Sequence, residues 1–249
     1  MLETDQLTVR FGGHAAVDGV SCAFAPGTLT AIVGPNGAGK TTYFNLISGQ
    51  IPATSGRVRL NGLDITDHAA PSRTRLGLGR AFQLTNLFPN LTALENVRLA
   101  VQVKSGKALD LFSRARNHRG LIDRAMEHLA AVSLIDRAQA VAATLSDGDQ
   151  RKLEVAILLA LEPAIFMFDE PTAGMSVDEV PTILEIIAAI KQQRDKTILL
   201  VEHKMDVVRS LSDRIVVLHQ GRLVADGVPA EVINSDIVRE AYLGGAAHD

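Results

Sequence analysis

The chain has no tryptophan, two tyrosines and one cysteine among its 249 residues. Because Cys22 has no second cysteine to pair with, an intrachain disulfide is excluded and a reducing compartment is expected. Aromatic residues make up 4% of the chain and hydrophobic residues 47%, so the core should be mainly aliphatic. The formal net charge of −3 gives no strongly basic surface, and we therefore expect no nucleic-acid partner.

Long apolar runs are also absent. The longest ones, such as residues 155–161 and 164–168, are far below the ~20 residues that a membrane-spanning helix needs. The N-terminal segment contains Glu3 and Asp5 and lacks the apolar centre of a secretory signal. These absences predict a cytoplasmic protein, which would reach a membrane only by docking on it.

A glycine-rich segment at residues 29–42 matches the phosphate-binding pattern G-x-x-x-x-G-K-[ST]. A β-branched run precedes it and a helical pattern follows it, so backbone N–H groups at a helix N-terminus should face a phosphate chain. Lys40 can reach the β- and γ-phosphates, and the Thr41 hydroxyl can ligate Mg²⁺. The alternative is a glycine-rich turn with an accidental lysine. The candidate nucleotide contacts are Gly34, Pro35, Asn36, Gly37, Ala38, Gly39, Lys40, Thr41 and Thr42.

Polar residues follow two further apolar runs. Asp169 and Glu170 come after residues 164–168, and His203 comes shortly after residues 197–201. A carboxylate pair in such a place can simply cap a helix, and a single histidine is often structural. Ser146 opens another helical pattern as a good N-cap. Phe11 precedes a glycine pair, where it serves either as core packing or as an adenine-stacking platform.

These features occur in one order: the P-loop, Gln83, Leu145-Ser146-x-Gly148, the strand before Asp169 and Glu170, and His203. Together they resemble the ATP-binding subunits of ABC transporters, and the resemblance covers essentially the whole chain. Finer features are similar to the branched-chain (hydrophobic) amino acid and urea uptake branch of that family. They lie at residues 10–13, 82–83, 87–88, 170–174, 201–206 and 240–244.

The resemblance implies an α/β fold. Its P-loop NTPase core would have a mainly parallel sheet with helices on both faces, a small antiparallel β subdomain and an inserted helical subdomain. Residues 1–249 would form a single ABC ATPase domain. Residues 1–92 and 162–249 would make the core with its antiparallel part, and residues 93–161 the helical subdomain.

The resemblance also assigns roles in ATP hydrolysis. Asp169 would orient Mg²⁺ through water, together with the Thr41 hydroxyl. Glu170 would act as general base on the attacking water. Gln83 would sense the metal and the water, and His203 would contact the γ-phosphate and hold Glu170 in place. With Lys40, the residues Glu170, His203 and Gln83 form the expected catalytic set.

Ser146 and the Gly148 amide of one subunit would close over ATP held by the P-loop of another, as the family pattern implies. The usual L-S-G-G-Q has become L-S-D-G-D here, with Asp147 and Asp149 in the changed positions. Asp149 brings a carboxylate near a polyanion unless it turns into the helix cap. Ser176 stands where the family's D-loop aspartate is expected. The changed signature motif and the serine at the D-loop position would each permit a slow or asymmetric ATPase.

The partners that the resemblance implies are a second ATP-binding subunit, either identical or related, and separate integral membrane permease subunits. A periplasmic solute-binding protein would take part indirectly. The chain would lie peripherally at the cytoplasmic face of the inner membrane. The alternatives are the ATPase subunit of a lipid or lipopolysaccharide exporter and a soluble ABC ATPase of DNA repair or translation. The absence of a long coiled-coil insertion and of a basic tract argues against the soluble enzyme.

Overall fold

The computed structural model describes residues 1–81, 87–106 and 119–235, and the chain divides into two compact units. The first unit comprises Met1–Arg80, Ala164–Glu170 and Ile190–Asp249, and the second comprises Ala81–Pro163 and Pro171–Ala189. The second unit therefore contains residues 93–161, which the sequence analysis expects to form the helical subdomain. It also contains residues 81–92 before them and residues 171–189, which follow the strand that ends at Asp169.

A six-stranded sheet, in the order β10-β9-β3-β8-β7-β6, organises the first unit. Strand β3 runs parallel to β8 and β9, β7 runs parallel to β8, and β10 is antiparallel to β9. Every residue of β3, β7 and β8 is buried, as expected of parallel strands covered on both faces. The strands are β3 (Leu29–Val33), β6 (Leu78–Ala81), β7 (Ile165–Asp169), β8 (Thr197–Val201), β9 (Arg214–His219) and β10 (Arg222–Gly227).

Alternate residues of β3 face two different cores, because side chains of a strand alternate between its faces. Ile32 packs in one core with Phe44 of helix α1 (Lys40–Ser48) and with the strands of a second sheet. Ala31 and Val33 pack on the other face, with α7 (Met205–Leu211) and α8 (Pro229–Val232). Helices therefore cover both faces of the parallel sheet.

The second sheet of the first unit is antiparallel, in the order β2-β1-β4-β5. Its strands are β1 (Leu2–Phe11), β2 (His14–Phe24), β4 (Ser55–Leu60) and β5 (Leu63–Asp64). Helix α2 (Ala70–Arg75) carries Arg73, which is 2% exposed and donates to the carbonyls of Leu46 and Ile47 at the end of α1. These bonds satisfy acceptors that a helix C-terminus otherwise leaves unpaired.

The second unit is helical in the residues that the structure describes. It contains α3 (Ala93–Lys104), α4 (Arg119–Ala131), α5 (Asp147–Leu161) and the beginning of α6 (Val180–Gln192), with 3₁₀ turns at Ile135–Arg137 and Ala142–Thr144. Thr92 and Glu95 form a capping box at the start of α3. Leu121, Ala125 and Leu129 are buried on one face of α4, as their helical spacing predicts.

Within the described ranges, none of the helices combines the length and the apolar character needed to cross a membrane.

Candidate functional site

The P-loop follows β3 and folds in a way that only glycine allows at two positions. Gly34 has φ +151°, and a Cβ there would lie 2.1 Å from the Leu218 carbonyl oxygen. Gly39 has φ +95°, and a Cβ there would lie 2.4 Å from the Ala16 carbonyl oxygen. Both glycines therefore serve close backbone packing as well as a conformation that other residues rarely adopt.

Helix α1 begins directly after this loop with an open N-terminus. Its N-cap is Gly39, and no side chain from the described parts of the chain caps it. Thr41, in its first turn, is exposed, as are Asn36 and Gly37 of the loop. Uncapped N–H groups at the positive end of a helix form a binding site for an anion such as a phosphate.

Lys40 lies folded back over the loop. Its Nζ donates to the carbonyl oxygens of Gly34 at 2.6 Å and Pro35 at 3.0 Å, and the residue is largely buried. Burial lowers the pKa of Lys40, whereas the negative charges of Glu170 and Asp169 oppose that shift. The ammonium group thus lies in the field of both acids. Two of its three N–H donors bind the loop carbonyls, which leaves one for a phosphate oxygen.

The two adjacent acids at the end of β7 have different partners. Asp169 is 6% exposed and accepts a hydrogen bond from Arg80 Nη2 at 2.6 Å. Burial raises the pKa of Asp169, and the Arg80 guanidinium opposes that rise. Glu170 is partly exposed, and its backbone N–H donates to the Val201 carbonyl at the end of β8. Neighbouring carboxylates in such different surroundings can take different roles in one reaction.

Glu170 and His203 are in contact. The Nε2 atom of His203 lies 2.7 Å from Oε1 of Glu170. Glu170 has φ +53°, a left-handed conformation that costs a non-glycine residue about 1–3 kcal/mol and is typical of functional sites. The Glu202 carboxylate accepts from the backbone N–H groups of His203 and Lys204, which fixes the segment after β8.

The oxygen donors at this edge suit magnesium. A hydroxyl from Thr41 and a carboxylate from Asp169 are hard ligands of the kind that Mg²⁺ prefers. Among the residues that the structure describes, no three carboxylate, imidazole or thiol groups cluster as a metal cage. Such a site therefore needs phosphate oxygens and water for the remaining positions, as is usual where Mg²⁺ accompanies a nucleotide. Gln83, expected beside it, lies outside the described residues.

Phe11 is the last residue of β1 and is 56% exposed. Its ring is therefore not part of the core. An exposed aromatic face is what stacking on a nucleotide base requires.

In the second unit, Ser146 is the N-cap of α5, and its Oγ accepts from the Asp149 backbone N–H at 3.2 Å. The Asp149 carboxylate accepts from Lys152 at 3.1 Å, so it pairs with that cation and does not turn back as a cap. Gly148 is covered by the Glu179 carboxylate, since a Cβ on Gly148 would lie 2.3 Å from Glu179 Oε1.

Glu179 is held in this position by two neighbours. Ser176 donates to its Oε2 through Oγ at 2.8 Å and through the backbone N–H at 3.1 Å. Lys152 lies 3.4 Å from its Oε1. Ser176, which stands where the family's D-loop aspartate is expected, is thus hydrogen-bonded to the Glu179 carboxylate of the same chain.

Sequence reasoning did not single out Arg80 or Glu179. Arg80 carried a signal, because it is a charged residue in the middle of the apolar strand β6. For Glu179 the only signal in the sequence was its position three residues after Ser176, which is the spacing of a helix-capping pair.

Comparison with known proteins gives a consistent result. The family profile described as "ABC transporter" matches residues 17–173, and that described as "Branched-chain amino acid ATP-binding cassette transporter" matches residues 222–248. The chain is 38% identical to the high-affinity branched-chain amino acid transport ATP-binding protein BraF of Pseudomonas aeruginosa, over 99% of this chain and 98% of BraF. It is 38% identical to LivG of Escherichia coli, which has the same description, with the same coverage.

Solved structures of ATP-binding cassettes have a similar fold. The ADP conformation of MJ1267, an ATP-binding cassette of an ABC transporter, has a TM-score of 0.81 and 27% identity and covers 98% of both chains. The dimeric post-hydrolysis state of the cassette MJ0796, bound to ADP and Pi, has a TM-score of 0.79 and 26% identity. It covers 92% of this chain and 99% of that one.

Proposed function

The chain belongs to the ABC transporter family of ATP-binding proteins, and from this premise we propose that it hydrolyses ATP to drive solute import through separate permease subunits. The solute is a branched-chain amino acid or a similar small polar or amphipathic molecule. The names of BraF and LivG, which are similar to this chain over nearly its full length, support this solute class. Because these names give an amino acid and not a lipid as the solute, they argue against the lipid or lipopolysaccharide export that the shared core would allow.

One observation carries the proposal: the carboxyl edge of the parallel sheet brings the P-loop and the reactive side chains together. Lys40 lies in the field of Asp169 and Glu170, and Glu170 contacts His203. Three separate chain segments supply these groups. An anion-binding helix terminus, a metal-orienting carboxylate and a base held by a histidine are the parts that phosphoryl transfer to water needs.

In this mechanism the backbone N–H groups of the P-loop and the Lys40 ammonium bind the phosphates. Thr41 and, through water, Asp169 would hold Mg²⁺, which would neutralise charge on the phosphate oxygens. Glu170 takes the proton of the attacking water. His203 keeps the carboxylate oriented through its Nε2 contact.

We propose that Ser146, and Gly148 once the Glu179 carboxylate has moved off it, complete the nucleotide site of a second ATP-binding subunit. In this chain the carboxylates of Asp149 and Glu179 lie at that surface, with Lys152 as their cation. A like-charge approach of 4 Å costs about 4 kcal/mol at an effective dielectric constant of 20. This acidity favours a related, non-identical partner subunit over a second copy, because a related chain can supply a less acidic loop.

The remaining partners follow from the family. We propose integral membrane permease subunits and, indirectly, a periplasmic solute-binding protein. The chain would then lie peripherally at the cytoplasmic face of the inner membrane, where ATP is available.

The Glu170→Gln variant tests the core of the proposal. Removing the base should stop hydrolysis and trap an ATP-dependent dimer, measured by light scattering with Mg-ATP. Glu185→Gln is a matched control, since it changes an exposed acid on α6. A Glu170→Gln chain that stays monomeric at saturating Mg-ATP, with or without its partner subunit, would contradict the shared site. The solute class is tested by pulling down the permease and measuring solute-stimulated ATPase activity in liposomes.

A further inference from the structure

Arg80 lies at the point where three elements of the first unit meet. It belongs to β6, its Nη2 donates to Asp169 of β7, and its Nη1 donates to Asn45 Oδ1 at 2.7 Å and Ser48 Oγ at 2.8 Å on α1. Its guanidinium carbon also lies 5.5 Å from the centre of the Phe44 ring. One side chain therefore joins the carboxylate after β7 to the helix that begins at the P-loop.

The ion pair between Arg80 and Asp169 is almost fully buried, and a buried ion pair is not explained by its contribution to stability. The side chains of Arg80 and Asp169 are 8% and 6% exposed, and within the described chain the Arg80 Nε atom is buried without a hydrogen-bond partner. Burying two charges has a large desolvation cost, and well-packed apolar residues often replace such pairs without loss of stability. The pair is better explained by the orientation that it gives to Asp169.

The geometry of arginine suits that task. Its planar fork donates in several fixed directions, so it can bind a carboxylate and a second element at the same time, which a lysine ammonium does less well. The bond to Arg80 occupies Oδ2 of Asp169 and fixes the carboxylate relative to α1, whose first turn carries Thr41. A residue that hydrogen-bonds to a metal ligand fixes the orientation of that ligand. Mutation of such a residue typically weakens metal binding by roughly 10- to 100-fold.

We propose that Arg80 is a positioning residue for Mg²⁺ binding, which acts by holding the Asp169 carboxylate against the P-loop helix. This inference rests on the proposed Mg-nucleotide site. It predicts that loss of Arg80 weakens the response of nucleotide binding to Mg²⁺ and leaves metal-free nucleotide binding intact.

The test is binding of a fluorescent ATP analogue to the full chain, measured by anisotropy in EDTA and across a Mg²⁺ titration. In Arg80→Gln, the Mg²⁺ concentration for the half-maximal effect should rise by about tenfold or more, while affinity in EDTA stays within about twofold. Arg80→Lys should show a smaller rise. Arg75→Gln, at an exposed arginine of α2, should match the wild type.

A folded Arg80→Gln chain with an unchanged Mg²⁺ midpoint would overturn the inference. So would an equal loss of affinity in EDTA and in Mg²⁺, because that would indicate a structural role only. If Arg80→Gln does not fold, Arg80→Lys decides by the same criteria. Wild-type binding that does not respond to Mg²⁺ at all would instead count against the proposed metal site itself.

Discussion

Glu154 offers a stability prediction whose size follows from its surroundings. It lies in the middle of α5, is 9% exposed, and has its pKa raised by burial from the ordinary 4.5 to about 7, with the Arg151 charge opposing the rise. The folded protein therefore holds a proton on Glu154 where the unfolded chain has released it. Stability is then lost as the pH rises from 4.5 through 7, because the unfolded state binds fewer protons in that interval.

The magnitude follows from the difference between the two pKa values. At about 1.4 kcal/mol per pH unit, the full penalty above the folded pKa is about 3 kcal/mol. Glu154→Gln keeps the shape of the side chain and removes its charge. The stability of this variant relative to the wild type should therefore increase by about 2.5 kcal/mol between about pH 5 and pH 8.5.

Urea denaturation followed by circular dichroism at both pH values measures this difference. Glu185→Gln, at an exposed acid of α6, is the matched control and should not reproduce this gain. If the difference between Glu154→Gln and the wild type is the same at both pH values, Glu154 is ionised in the folded protein and the reasoning is wrong.

Two further predictions concern nucleotide binding and assembly. Phe11→Ala should weaken ATP binding by about tenfold, because base stacking on an aromatic ring contributes about 1–3 kcal/mol. The melting temperature should hardly change, since the ring is exposed; a nucleotide titration and a thermal melt measure both. Asp149→Gln, made in the Glu170→Gln background, should tighten the ATP-dependent dimer by about tenfold in light scattering, because it removes one acid from the surface that we propose to meet the partner's triphosphate.

The variants Phe11→Ala and Asp149→Gln each have a control variant at an exposed residue of the same type. Phe88→Ala alters another exposed phenylalanine and should leave nucleotide affinity unchanged. Asp136→Asn alters an exposed acid of the second unit and should leave the dimer unchanged. Unchanged affinity in Phe11→Ala would remove the stacking role, and an equal or weaker dimer with Asp149→Gln would show that this carboxylate does not face the nucleotide.

Short segments determined much of this protein by themselves. The glycine pattern at residues 34–41 predicts a strand, a loop and a helix, and the structure has β3 and α1 on either side of that loop. The apolar runs before Asp169 and His203 predict the buried strands β7 and β8. These features are readable because a motif and its hydrophobic period lie within a few consecutive residues.

Element lengths depended on pairing across the sheet. The strand-like patterns of the sequence itself cover residues 7–10 and 17–24, whereas β1 starts at Leu2 and β2 at His14. Gln6, with φ +46°, interrupts the alternation, yet β1 pairs with both β2 and β4 on either side of that residue. Backbone bonds from two neighbouring strands extended β1 where the side-chain pattern gave no sign of it.

Only the tertiary structure decided which charges meet. Arg80 and Asp169 are 89 residues apart, and Lys152 and Glu179 are 27 apart. Neither pairing follows from local periodicity, because a side chain's partner depends on how separate elements pack. The sequence therefore determined the chemical groups of this ATPase, and the packing of its strands and helices determined how each acid is oriented and paired.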